Sequence, residues 1–265
     1  MTQTSTDRRS ILLITRGHPF EREPFFGIFD AMPGVTWTHV EHPAAEALFD
    51  LEHARRFDAF VFYDMPGLEF RPGQAPLMAE PDPAFKRRLL ELVDAGFGFV
   101  FLHHAIAGWP AWDGYADLIG GRFLYMPREL RGVPRQDSGY RHKVEHTVSV
   151  TREHALTAGV PARFPMTDEL YLYEVFEEDV QPLLVSDYEF TRDNFYSATA
   201  AVRDGRMFDN AGWQHPPGSN LVGWTREQGS SRIVYLQGGD DPVAYASEHY
   251  RRLIRNAIFW VSENA

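Results

Sequence analysis

The stretch that decides the fold is Gly96-Phe97-Gly98-Phe99-Val100-Phe101-Leu102-His103-His104-Ala105-Ile106-Ala107-Gly108-Trp109-Pro110-Ala111-Trp112-Asp113-Gly114-Tyr115, continuing to Leu118-Ile119-Gly120-Gly121-Arg122-Phe123. Residues 97–102 are an apolar run without polar alternation, the pattern of a central strand covered on both faces in a mostly parallel sheet. Two histidines, His103 and His104, follow it at once. In an open α/β sheet ligands gather at the carboxyl ends of the strands, so this imidazole pair is the first site candidate.

Upstream, Asp82 reads as an N-cap, Pro83 as the first helical residue and Gly96 as the terminator of a helix with apolar Phe85, Leu89, Leu92 and Val93. Its short link to residues 97–102 suits a βαβ crossover. Residues 11–15, 36–39 and 57–63 read as further strands. The first ends at Arg16-Gly17-His18-Pro19 and the third at Tyr63-Asp64-Met65-Pro66-Gly67, which puts His18, Tyr63 and Asp64 on the same rim. Residues 68–81 read as a mobile loop above it.

Downstream of Phe123 the pattern changes to an antiparallel excursion over residues 143–150, carrying His142 and His146, with later strands at 182–186, 202–208 and 221–225. Residues 233–236 are the last central strand. It ends in Gln237-Gly238-Gly239-Asp240-Asp241-Pro242, with Asp241 placed to cap a closing helix whose buried stripe is Tyr250, Ile254, Ala257, Ile258 and Val261. The expected fold class is α/β, a three-layer sandwich with a mostly parallel central sheet, in a single domain over residues 8–263 of the 265.

A net charge of −11 argues against nucleic acid or an anionic membrane as partner, since either needs a basic patch, and it favours a small neutral or cationic ligand. The absence of cysteine removes disulfides, thiolate metal sites and a thiol nucleophile. Residues 1–10 are polar with no apolar core of a signal peptide, and no run approaches a membrane span, so a soluble cytoplasmic protein is expected.

Together, Gly-Phe-Val-Phe-Leu-His-His-Ala (98–105), Trp-Pro-Ala-Trp-Asp-Gly-Tyr (109–115) and Leu-Ile-Gly-Gly-Arg-Phe (118–123) resemble the core signature of the ThuA-like, or trehalose-utilisation, family. Matches continue in order through residues 153–164, Thr-Asp-Glu-Leu-Tyr (167–171), Gly-Trp-Thr-Arg-Glu (223–227) and Gly-Gly-Asp-Asp-Pro-Val-Ala-Tyr (238–245), covering almost the whole chain. The resemblance implies a flavodoxin-like fold of the class I glutamine amidotransferase type and the handling of a carbohydrate, such as a keto-glycoside. The amidotransferase thiol is missing, so that activity is not expected. Gly239 stands where the family usually shows histidine in Gly-His-Asp. That departure implies altered or lost chemistry, or an imidazole supplied from elsewhere, with His18 and His215 as candidates.

His103 and His104 can act as general acid or base, or hold a ligand hydroxyl. Asp240 is a candidate partner. Asp168 and Glu169 are neighbours, so on a strand only one can face the site, and Glu169 with Tyr171 is the favoured pair. His142 and His146, at even spacing, would share one strand face and with Glu145, His104 or His18 could hold zinc, although surface histidines are the commoner explanation and no cofactor is expected. Trp109 and Trp213, in proline-containing loops, are candidate stacking platforms for a sugar ring. The candidate catalytic set is therefore His103, His104, Asp240 and Glu169, and the binding set His18, Tyr63, Asp64, Trp109, Tyr171 and Trp213. Acid–base isomerisation, elimination or hydrolysis of a carbohydrate is the expected chemistry. The alternatives are a catalytically silent sugar-binding or assembly protein and a metal-dependent hydrolase. A homodimer is the commonest assembly for such a chain.

Overall fold

Ten strands form one sheet in the computed structural model, which describes residues 8–264. In chain order they are β1 (Arg9–Arg16), β2 (Val35–Glu41), β3 (Ala59–Asp64), β4 (Gly98–Leu102), β5 (Gly139–Val150), β6 (Arg163–Leu172), β7 (Gln181–Ser186), β8 (Tyr196–Ser197), β9 (Leu221–Gln228) and β10 (Ser231–Leu236). The parallel part runs β2-β1-β3-β4-β10. This is the flavodoxin-like order, in which crossover helices must cover both faces. From β10 the sheet continues antiparallel through β9, β7, β5 and β6, with β8 also paired to β5.

The helices are α1 (Arg22–Asp30), α2 (Pro83–Asp94), α3 (Asp113–Ile119), α4 (Ala198–Val202), α5 (Pro242–Ala246) and α6 (Glu248–Val261), besides short single turns. Alternate residues of the apolar strands feed opposite layers. Ile11, Leu13, Val61, Val100 and Leu102 pack with Phe25, Ile254 and Ile258 of α1 and α6. Leu12, Ile14, Phe60, Phe62, Phe99 and Phe101 pack with Phe85, Leu89 and Leu118 of α2 and α3. Phe99, Val100, Phe101 and Leu102 are fully buried, which explains why β4 shows no polar alternation. Each such side chain contributes roughly 2 kcal/mol by its burial.

The expected cap of α2 is present, with the Asp82 carboxylate accepting from the Ala84 N–H and Pro83 in the first turn. Asp241 likewise caps α5 through the N–H groups of Val243 and Ala244, but the closing helix is split. Ser247 ends α5 and caps α6 through the Tyr250 N–H. Residues 68–81 are not plain loop: Leu68–Glu69 and Leu77–Met78 pair as an antiparallel hairpin. The strand expected at 202–208 is absent. Ser197 caps the short helix α4 by accepting from Ala200 N–H, and the polar turn that follows reverses at Gly205, φ +67°. The Val, Met and Phe of 202–208 gave the segment a strand-like composition, but the Ser-Ala-Thr-Ala-Ala start carries a helix signal that wins locally. The reading of residues 1–10 falls largely on 1–7, which lie outside the described residues. No helix among the described residues is long and apolar enough to cross a membrane.

Candidate functional site

His103 is the first residue after β4 and sits on left-handed backbone, φ +48°. A non-glycine residue held there is strained, and such strain clusters at functional sites. Its Nδ1 donates to the Gln237 carbonyl at 2.7 Å, at the end of the neighbouring β10. A carbonyl only accepts, so Nδ1 carries a proton and Nε2 is turned toward the polar cluster. The Tyr235 hydroxyl, donating to the His103 carbonyl, holds the same turn. Around Nε2 lie the Tyr171 hydroxyl at 2.8 Å, Glu169 Oε2 at 3.2 Å and Asp240 Oδ1 at 3.4 Å.

The carboxylates come from two elements. Glu169 and Tyr171 are on β6 at alternate positions, so both face His103, while Asp168 points through the opposite face. Asp168 accepts the N–H groups of Glu169, Gly239 and Asp240. Burial pushes its carboxyl up to about 7 against those three donors and the charge of His103. Three tyrosines complete a clamp on the turn: the hydroxyls of Tyr250, Tyr63 and Tyr245 donate to the carbonyls of Gly238, Gly239 and Asp240. Gly239 has φ +112°, and a Cβ built there would lie 2.2 Å from the Tyr250 hydroxyl. Only glycine fits this backbone, so the position is not an imidazole slot left empty.

The second imidazole of the cluster is His142, placed by a bulge. In the β5–β6 ladder Arg141 faces Leu170 and Val144 faces Asp168, so His142 and Lys143 together oppose Glu169. One extra residue reverses the side-chain alternation on either side of it. His142 thereby joins the face of Glu169, its Nδ1 3.4 Å from Glu169 Oε1 and 3.5 Å from Asp240 Oδ2. His146 is sent to the other face, buried with its Nδ1 2.9 Å from the Ser186 hydroxyl. Desolvation holds it down to about 4. The two histidines therefore do not share a site, contrary to the even spacing.

The electrostatics follow from alternating charge. Burial alone would lower His103, but its hydrogen bonds to Asp240 and Glu169 outweigh that and hold it well above the ordinary histidine range. The hydrogen bond to Asp240 raises His142 against its partial burial. Asp240, despite desolvation, is held far below the usual carboxylate range by those two imidazoles. Asp240 and His142 are the solvent-touching members, at 17 and 38% side-chain exposure, whereas Glu169 shows 6% and His103 none. One atom each from His103, Glu169 and Asp240 lie within 4.8 Å of one another, a donor set that fits a divalent cation. The Nδ1–H bond to a backbone carbonyl is also what orients a metal-binding histidine.

The other expected site residues lie around this cluster or away from it. His104 is buried by a stack with His18 at 4.4 Å, and neither of its ring nitrogens has a hydrogen-bond partner among the described residues. Burial and the charges of His18 and His103 push it well below its ordinary value, so it is neutral. His18, half-buried in the same stack, is also lowered by desolvation, and the charges of His103, Glu169 and Asp240 reach it, so it borders the cluster. Tyr63 is spent on the turn clamp. Asp64 is fully buried, not at the rim, and pairs with His42 Nε2 at 2.8 Å. Trp109 is buried beside His42 and Phe85. Trp213 is 7% exposed and donates its indole N–H to the buried Asp137. Neither tryptophan is an exposed platform. His215, its ring near Trp213 and its Nδ1 on the Pro216 carbonyl, does not replace the missing family histidine.

Sequence reasoning gave no clamp role to Asp168, Tyr245 and Tyr250, nor any to the fully buried Arg122, which donates to the carbonyls of Gly108 and Trp112. Burial lowers that guanidinium to about 10. Its position just after Gly120-Gly121 was the only available signal.

The fold is shared with a ThuA-like protein from Parabacteroides merdae, at 15% identity and TM-score 0.68, covering 97% of this chain and 90% of that one. A ThuA-like protein from Bacteroides uniformis aligns at 15% identity and TM-score 0.60, over 98 and 94% of the two chains. A cytoplasmic protein from Salmonella typhimurium LT2 aligns at 12% identity and TM-score 0.56, over 95 and 99%. No curated protein matches the sequence. A family profile described as trehalose utilisation matches residues 30–261, and the chain belongs to this ThuA family.

Proposed function

We propose that the chain is an enzyme that performs acid–base chemistry on a carbohydrate, an isomerisation, elimination or hydrolysis of a sugar or keto-glycoside. The observation that carries this reading is the closed ring of two carboxylates and two imidazoles, His103 and Asp240 following the carboxyl ends of β4 and β10 and His142 and Glu169 coming from β5 and β6. The carbohydrate comes from the family's description. In this scheme His103 and His142, both raised above the ordinary histidine value by the carboxylates beside them, serve as proton donors to a carbonyl or leaving oxygen. The carboxylates Glu169 and Asp240 accept the substrate proton or its hydroxyls. His104, neutral and stacked on His18, takes no part. Cytoplasmic residence accords with this substrate class.

Incubation with trehalose, methyl glucosides and their keto derivatives in D₂O, followed by NMR and mass spectrometry, tests the reading. Expected is a changed product or deuterium at a sugar carbon, slowed about 10²- to 10⁴-fold by Glu169→Gln or Asp240→Asn. Substrates returned unchanged and undeuterated, or variants at full rate, would refute it.

The His103, Glu169 and Asp240 donor set favours a second reading, a metal-dependent hydrolase. A bound cation would supply Lewis acidity and a water of lowered pKa. Elemental analysis after dialysis decides: one equivalent of zinc or manganese, lost in His103→Gln, supports it, and a metal content near zero removes it.

A further inference from the structure

Phe208 is 57% exposed and its neighbour Met207 53% exposed. Phe208 also sits on left-handed backbone, φ +58°, a conformation that bulky residues avoid. The chain thus combines exposed apolar area with backbone strain at one aromatic residue. Both are held in place: the Phe208 N–H donates to the Tyr140 hydroxyl at 3.0 Å. The ring stands 5.6 Å from that of Tyr196, which is backed by Arg141.

The Phe208 ring also lies 6.0 Å from that of His142, whose Nδ1 touches Glu169 and Asp240. Tyr140 is the cross-strand partner of Tyr171, the residue bonded to His103. An apolar wall therefore adjoins His142, the most exposed member of the charged cluster. A pyranose ring has the complementary shape: a face of C–H groups for an aromatic ring and an edge of hydroxyls for carboxylates.

We propose that Phe208 is the stacking wall of a sugar subsite beside Glu169 and Asp240, taking the apolar face of a neutral pyranose. This rests on the carbohydrate reading above and assigns the platform role that Trp109 and Trp213, both buried, do not fill. Phe208→Asn removes the ring while keeping a residue that tolerates left-handed backbone, and Phe208→Trp restores an aromatic face.

The test is calorimetric titration and saturation-transfer NMR with trehalose and methyl α-glucoside as probes. Expected for Phe208→Asn is about fivefold to tenfold weaker binding, with saturation lost from the ring C–H protons, and near-parental binding for Phe208→Trp. Parental affinity and saturation in Phe208→Asn would overturn the subsite and leave the carbohydrate reading intact. No binding of either sugar to the parent protein would overturn both.

Discussion

Restoring the family's usual histidine at position 239 should cost fold stability and restore nothing. At φ +112° an L side chain is strained by about 1–3 kcal/mol. The new Cβ would stand 2.2 Å from the Tyr250 hydroxyl and 2.9 Å from its Cζ. Tyr250 must then move, losing its hydrogen bond to the Gly238 carbonyl, about 1 kcal/mol. Overpacking adds about 1–3 kcal/mol. The sum for Gly239→His is about 5 kcal/mol, or roughly 10–20 °C in Tm. Because the conflict arises at Cβ, Gly239→Ala should lose nearly as much. Urea unfolding of the two variants, with Tyr250→Phe in a double-mutant cycle on Gly239→Ala, measures this. The cycle should return about 1 kcal/mol of the alanine loss, since the hydroxyl is the nearest conflicting atom. A Gly239→Ala variant within about 1 kcal/mol of the parent, or a Gly239→His variant with raised turnover, would refute the reasoning.

The bulge in β5 also predicts opposite pH signatures for two histidines four residues apart. His142 is raised on folding, so its contribution is complete below the unfolded value near 6.5 and lost as pH climbs through the folded one. The Tm difference between parent and His142→Gln should shrink from pH 6 to pH 9, and a difference that grows would refute the assignment. His146 is held down to about 4, so folding weakens as pH falls from 6.5 toward 4, by about 3 kcal/mol. His146→Gln should flatten that acid limb in urea titrations, and an unchanged limb would exclude His146 as its source. Beneath the site, Asp64→Asn breaks the buried pair with His42 and should cost about 3–5 kcal/mol in urea unfolding. A loss under about 1 kcal/mol would mean that His42 does not depend on this partner.

The apolar run ending at Leu102, the Asp82-Pro83 start of α2 and the Asp241-Pro242 start of α5 were all legible, because each is a local signal of burial or capping. So was the opposition of Asp168 and Glu169, which follows from strand alternation alone. Residues 202–208 misled because apolar composition does not distinguish a strand from a strained loop that displays Met207 and Phe208. Asp64 and Trp109 misled because the end of a strand or a proline-rich loop can still be covered by neighbouring segments, here by His42 and Phe85. The sequence by itself determined the layered α/β sheet and which histidine follows its central strand, since burial periodicity and caps act within a few residues. Tertiary structure alone decided that His142 enters the site and His146 leaves it, that Gly239 is clamped by three tyrosines, and that Phe208 stands exposed beside His142. Those outcomes depend on ladder register and contacts between residues up to 176 positions apart, which no local pattern encodes.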